Sequence, residues 1–192
     1  GGVPTYACNG AMGPAGADGA IGPQGATGPQ GPGFARIVIV SGTGTALQNG
    51  AALRTAINGI SSPSATAPWK VLVEPGVYDV GASALNMRAY VDVQGSGTGV
   101  TTITANLAGG IMLALADNML LSDLTVENTS ANPSIQTFGV GNLGASLVKL
   151  RNVVIHINQP TNVIFATYFT STNVGLDGVT IIALGATLAN QA

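Results

Sequence analysis

The chain has 192 residues, of which only 7% are charged; its net charge is −2 and its six lysines and arginines are scattered. An ordinary soluble domain is about a quarter charged, and the clustered basic residues that nucleic acid requires are missing from the sequence. Mean hydropathy is positive, yet the longest apolar run, Leu107 to Ala116, is interrupted by Gly109 and Gly110 and ends at Asp117, well short of the roughly eighteen residues of a membrane span. A chain this apolar, without a span, is expected to hide surface against copies of itself.

Residues 1–9 read as a leader or docking segment. Cys8 is the sole cysteine, so no intrachain disulfide is possible. A lone thiol in an exported protein points to an intermolecular bond, with an idle thiol as the alternative. Three equal chains cannot all pair within one trimer, so such a link leaves one thiol over or reaches another trimer. No signal peptide is visible, and the chain opens at Gly1 without methionine. We therefore expect a mature, exported form.

Residues 10–33 form the most specific signal in the chain. Glycine recurs at Gly10, Gly13, Gly16, Gly19, Gly22, Gly25, Gly28 and Gly31 without a miss, and Phe34 ends the pattern. Three polyproline-II strands wound together leave room on their axis only for hydrogen, which demands glycine at every third residue. Pro14, Pro23, Pro29 and Pro32 each follow a glycine, where their fixed φ stiffens the strand. None occupies the third triplet position, so the rod does not depend on proline hydroxylation. It reads as a bacterial or viral collagen, the bland alternative being a disordered Gly/Pro linker. At about 3 Å per residue the rod is ~70 Å long, short enough to need a further trimeric element.

Residues 34–192 suffice for one core. Arg36 to Val40 is a short β run. Ala46 to Ile60 has Leu47, Ala51, Leu53, Ile57 and Ile60 at helical spacing, with Thr45 as N-cap. β runs follow at Val71 to Val73, Ala89 to Val93, Thr101 to Ala105, Met119 to Glu127, Leu147 to Ile157 and Asn173 to Ala183. Three segments superpose: LSDLTVE (Leu121 to Glu127), LRNVVIH (Leu150 to His156) and LDGVTII (Leu176 to Ile182). One β run per twenty-odd residues marks a solenoid whose turns stack. Asp123, Asn152 and Gly178 then line one corner. Leu124/Val126, Val153/Ile155 and Val179/Ile181 point inward; Thr125, Val154, Thr180 and Glu127, His156, Ile182 point outward. The final β run has no obvious cap, and an open β edge is a template for another chain.

The order of helix, VLVEPGVYDV, LNMRAYVDVQGSGTGVTTI and NMLLSDLTVENTS resembles the opening of right-handed parallel β-helix proteins of the pectin-lyase-like superfamily. The matching elements are Val73-Glu74-Pro75-Gly76-Val77-Tyr78 and Val93-Gln94-Gly95-Ser96-Gly97 through Thr102-Ile103. The resemblance spans roughly Thr43 to Ala183. It implies an all-β, right-handed parallel β-helix with an N-terminal capping helix, here preceded by a collagen triple helix and therefore trimeric. It does not imply an activity, because the superfamily holds lyases, hydrolases, esterases, phage tailspikes and inert fibres.

The calcium-binding aspartate clusters and the paired-aspartate and histidine motifs of the enzymatic members are not written in this chain, so no catalytic residue, metal site or cofactor is assigned. The closest constellation is Asp123, Arg151 and Asp177 on three successive turns. It resembles the Asp–Arg–Asp set of the esterase-like members. Turns stack at about 4.8 Å, placing the carboxylates ~10 Å apart, near the upper limit of an inverting pair. Asp177 precedes the corner by one residue, however, so the bland expectation is a charge ladder in which Arg151 neutralises Asp177. His156, the sole histidine, reads as a surface residue. Trp69, Tyr78 and Tyr90 are candidates for stacking on sugars, with Trp69 alternatively a lid on the core. Asn128-Thr-Ser fits a glycosylation sequon. Gly95 to Gly99 lacks the lysine and helix of a phosphate loop and reads as a corner.

The expectation is a self-assembling structural subunit of an extracellular, cell-surface or virion fibre, without catalysis. The alternatives are a tailspike or surface enzyme that cuts polysaccharide, and a glycan-binding adhesin head.

Overall fold

The computed structural model describes residues 1–4, 10, 12–19, 36–130, 137–158, 167–170 and 173–184. The chain divides into two compact units, Gly1–Gly31 and Pro32–Ala192. In the first, the described residues form neither helix nor strand and are exposed. Cys8, Gly22, Gly25, Gly28 and Gly31 lie outside the described residues.

The second unit begins with β1 (Arg36–Val40), α1 (Ala46–Gly59), β2 (Trp69–Val73), β3 (Gly76–Asp79) and β4 (Leu85–Asn86). It continues through β5 (Val91–Gln94), β6 (Thr101–Ala105), β7 (Gly110–Ala114), β8 (Met119–Asn128) and β9 (Thr137–Asn142). The last elements are β10 (Val148–Asn158), β11 (Thr167–Phe169), β12 (Val174–Asp177) and β13 (Thr180–Leu184).

Every ladder between these strands is parallel, and each strand pairs with the one a full coil away. One sheet runs β1-β2-β5-β8-β10-β12, with β3-β6-β8 and β10-β13 continuing it past a bend, and a second runs β4-β7-β9-β11. The molecule is an all-β parallel β-solenoid with little helix. The long strands β8 and β10 turn the corner: the first half of β8 pairs with β5 and its second half with β6.

The expected register is the observed one. Leu121, Leu150 and Leu176 are mutual partners, as are Val126, Ile155 and Ile181. These inward columns form the core: Val71, Val93, Leu121 and Leu150 in one, and Tyr78, Ile103, Val126 and Ile155 in the other, each at most 1% exposed. Burial falls off at the last described rung, where Leu176 is 55% and Ile181 48% exposed. Each rung is covered by its neighbours on both sides, and β12 and β13 have a partner on one side only among the described residues.

Helix α1 starts where expected. The Thr45 hydroxyl accepts from the Gln48 backbone N–H, and the Gln48 side chain accepts from the Thr45 N–H, satisfying two donors that the first turn leaves orphaned. Its packed face differs from the periodicity, however. Leu47 is 63% exposed and Ala51 also faces solvent, while Asn49, Gly50, Leu53 and Ile57 are buried. Polar anchoring decides this. Asn49 donates through Nδ2 to the carbonyls of Gly42, Gly44 and Val77, each at 3.1 Å. Arg54 donates to the carbonyls of Val80, Ser83 and Ala84 at 2.8–2.9 Å. Apolar spacing alone does not register such anchors.

Five strands escaped the sequence reading or were seen there only as motif. β3 lies in the Pro-Gly-Val-Tyr element. β7 lies inside the apolar run Leu107 to Ala116. β4, β9 and β11, with β7, form the second sheet, whose Leu85, Leu113 and Val140 are buried.

Candidate functional site

The polar cluster of the solenoid is built on one corner. Asp123 and Asn152 hold φ of 57° and 51°, and Gly178 holds 61°. This left-handed region admits glycine freely and Asn or Asp better than other residues, which is why these three residue types recur there. The corner aims the side chains at one another. Asn152 Nδ2 donates to Asp123 Oδ1 at 3.0 Å, and Gln94 Nε2 donates to Asp123 Oδ2 at 3.0 Å. The Arg151 guanidinium lies 3.8 Å from the same Oδ2.

Burial pushes the Asp123 carboxyl up, but hydrogen bonds from Asn152 and Gln94, with the charge of Arg151, outweigh it and hold the group below the ordinary value. A carboxylate held ionised and ringed by donors is a poor proton acceptor near neutrality. The ion pair of Arg151 runs to Asp123 Oδ2, not to Asp177 as expected, and joins a carboxylate already fixed by two amides. Asp177 is the register partner of Arg151, one position before the corner, and is exposed.

Asp123 stabilises the fold through its charge, and the pH dependence follows from the sign of the shift. A carboxylate depressed on folding contributes fully above its unfolded value, near 3.9, and loses that contribution as pH falls through the folded value. Asp123→Asn keeps the size and tolerates the left-handed backbone. Denaturant midpoints of the variant and the parent are expected to differ at pH 7, by about 1–2 kcal/mol for the disrupted charged hydrogen bonds, and to converge as pH falls through the folded value of Asp123. Equal midpoints at pH 7 rule out this role.

A second carboxylate escaped the sequence reading. Burial pushes Asp92 up, against a hydrogen bond from the Leu120 N–H at 2.8 Å and the charges of Lys70, Arg151 and Lys149. It borders a groove of about 390 Å³ with Asn118, Leu147 and Lys149, whose lining holds no second carboxylate. Beside it runs a second corner: Tyr90, Asn118 and Leu147, just before β5, β8 and β10, hold φ of 58°, 53° and 57°. Tyrosine and leucine at such an angle leave no compositional trace.

The remaining candidates fall into place individually. His156 stands in the expected column, with Nδ1 3.4 Å from Glu127 Oε1 and Nε2 buried without a hydrogen-bond partner. Tyr78 is fully buried and donates to the carbonyl of Glu74 at 2.8 Å, so it has no ring face to offer a sugar. Trp69 packs against the core with the Arg36 guanidinium 5.1 Å from its ring centroid, as a lid. Tyr90 is half-buried. Asn128 is fully buried, accepting from the N–H groups of Leu107 and Ser130 and donating to the Leu107 carbonyl; its amide is consumed by the fold, which removes the sequon as an exposed acceptor. Gly97 and Gly99, at φ 139° and 78°, form the turn between β5 and β6. No group of three His, Cys, Asp or Glu side chains suited to a metal occurs among the described residues.

On the second sheet, a groove of about 520 Å³ is lined by Asn86, Ile111, Ala114, Leu143 and Tyr168 among others, and that lining carries no carboxylate, histidine or cysteine. No helix among the described residues is long and apolar enough to cross a membrane.

In the first unit, Gly10, Gly13, Gly16 and Gly19 are exposed, and a Cβ added at any of them would meet nothing within 4 Å. Within one chain, glycine is not required at these positions. Set beside known protein families, curated proteins and solved structures, the chain has no match.

Proposed function

We propose that the chain is a non-enzymatic building block of an extracellular trimeric fibre. Three chains wind together through the Gly10 to Gly31 repeat, and each carries a pectin-lyase-like parallel β-helix with α1 as its N-terminal cap. The observation that carries this reading is the contrast between period and surroundings. Glycine recurs without a miss, and at its four described positions, Gly10, Gly13, Gly16 and Gly19, the single chain leaves open space; only the axis of a three-stranded cable excludes every side chain there.

Two further features support it. The polar groups of the corner are occupied in holding one another. The uncovered rung at Leu176 and Ile181 offers an apolar surface and strand edge for head-to-tail association, with residues 1–9 and Cys8 as the docking segment. A right-handed coil follows from the near-universal hand of parallel β-crossovers.

Sedimentation of the full chain tests the reading. A species of three times the 19.0 kDa chain mass, with the circular dichroism of a triple helix, is expected. A single-chain species at micromolar concentration overturns it.

A further inference from the structure

We infer that the outward face of β1 is a threefold contact between the heads of one trimer, with Ile37 and Ile39 of each copy packed against those of the other two. The inference rests on the trimeric reading and adds to it the second trimeric element that so short a rod requires.

Three observations lead to it. Ile37 and Ile39 are 57% and 64% exposed, while Val40, between the same strand and the core, is 3% exposed. The exposed apolar side chains of these columns lie on the first rung, and Leu72 on the second is half-buried. The register carries Ile37 to Lys70 and then Asp92, and Ile39 to Leu72 and then Gln94, so the outward face turns polar within two strands. Finally, Gly31 and Arg36 are five residues apart, and five extended residues reach at most about 18 Å. In the proposed trimer the three copies of β1 are thus tethered to one another through linkers no longer than this.

Proximity decides the occupant. Two isoleucines and a neighbouring leucine fall far short of the roughly 1,200 Å² that a free-standing interface buries. Joined by a short tether, however, the copies meet at an effective concentration in the millimolar range, where so small a patch suffices. A partner arriving from solution has no such help.

The test uses the full chain with Cys8→Ser, after its trimeric mass has been established. Ile39→Cys is expected to cross-link between chains, under a short bismaleimide, at least about tenfold faster than Leu143→Cys, which is no less exposed and directly follows β9. The Ile37→Lys/Ile39→Lys pair, both side chains being exposed, is expected to leave the head folded and to lower the melting midpoint of the rod. A trimer in which the two cysteine variants react alike, or in which the lysine pair leaves that midpoint unchanged, overturns the threefold contact alone. A monomeric full-length chain removes the trimer, and this contact with it.

Discussion

Gly16→Asp is expected to dissociate the protein into single chains at micromolar concentration, while Ala15→Asp, one residue away, leaves the trimer intact. Both residues are exposed in the single chain, and a Cβ at Gly16 would meet nothing within 4 Å. Nothing within one chain therefore distinguishes the two substitutions. In a triple helix they differ sharply. The third triplet position occupied by Ala15 faces solvent, whereas Gly16 sits on the axis. Three carboxylates would be forced together there, and burying even a neutral polar group without a partner costs roughly 2–7 kcal/mol. A rod of eight triplets has little reserve, since a break at the third leaves two on one side. Sedimentation of the two variants side by side, with the polyproline circular dichroism band followed on heating, gives the answer. Equal behaviour of the pair excludes a triple helix.

What could be read from residues alone divides along physical lines. The corner of Asp123, Asn152 and Gly178 was legible because left-handed φ selects a small set of residue types, and that selection repeats once per coil. The register of Leu121, Leu150 and Leu176 was legible for a similar reason: stacked turns place like residues over like. The second sheet was not. β4 and β11 have two and three residues, too few for alternation to show, and β7 is apolar on both faces, so period-two patterning vanishes. Asp92 was missed because its significance is burial beside Leu120, a residue 28 positions away. Tyr78 was misjudged for the complementary reason. An aromatic ring announces stacking in composition, but only the fold reveals that its hydroxyl is tied to Glu74 and its faces are covered.

The same limit governs Gly50, in the middle of α1. Helix propensity favours alanine there by about 1 kcal/mol, and read alone the sequence marks Gly50→Ala as stabilising. The fold reverses the sign. A Cβ at Gly50 would fall inside van der Waals contact of the Asp79 carbonyl and 3.0 Å from the Asp79 nitrogen. Both belong to the backbone of β3 and cannot swing aside. To make room the helix must lift from β3. That loosens the Asn49 bond to the Val77 carbonyl and the three carbonyl contacts of Arg54, and draws Leu53 and Ile57, both 0% exposed, out of the core. Overpacking of this kind costs typically 1–3 kcal/mol or more, so a net loss of about 2 kcal/mol is expected in the denaturant midpoint. Gly59→Ala supplies the contrast. It lies in the same helix, with nothing within 4 Å of an added Cβ, and is expected to be neutral or to gain up to about 1 kcal/mol. If Gly50→Ala instead proves as stable as Gly59→Ala, the helix does not rest on β3, and the proposal that α1 caps the solenoid falls.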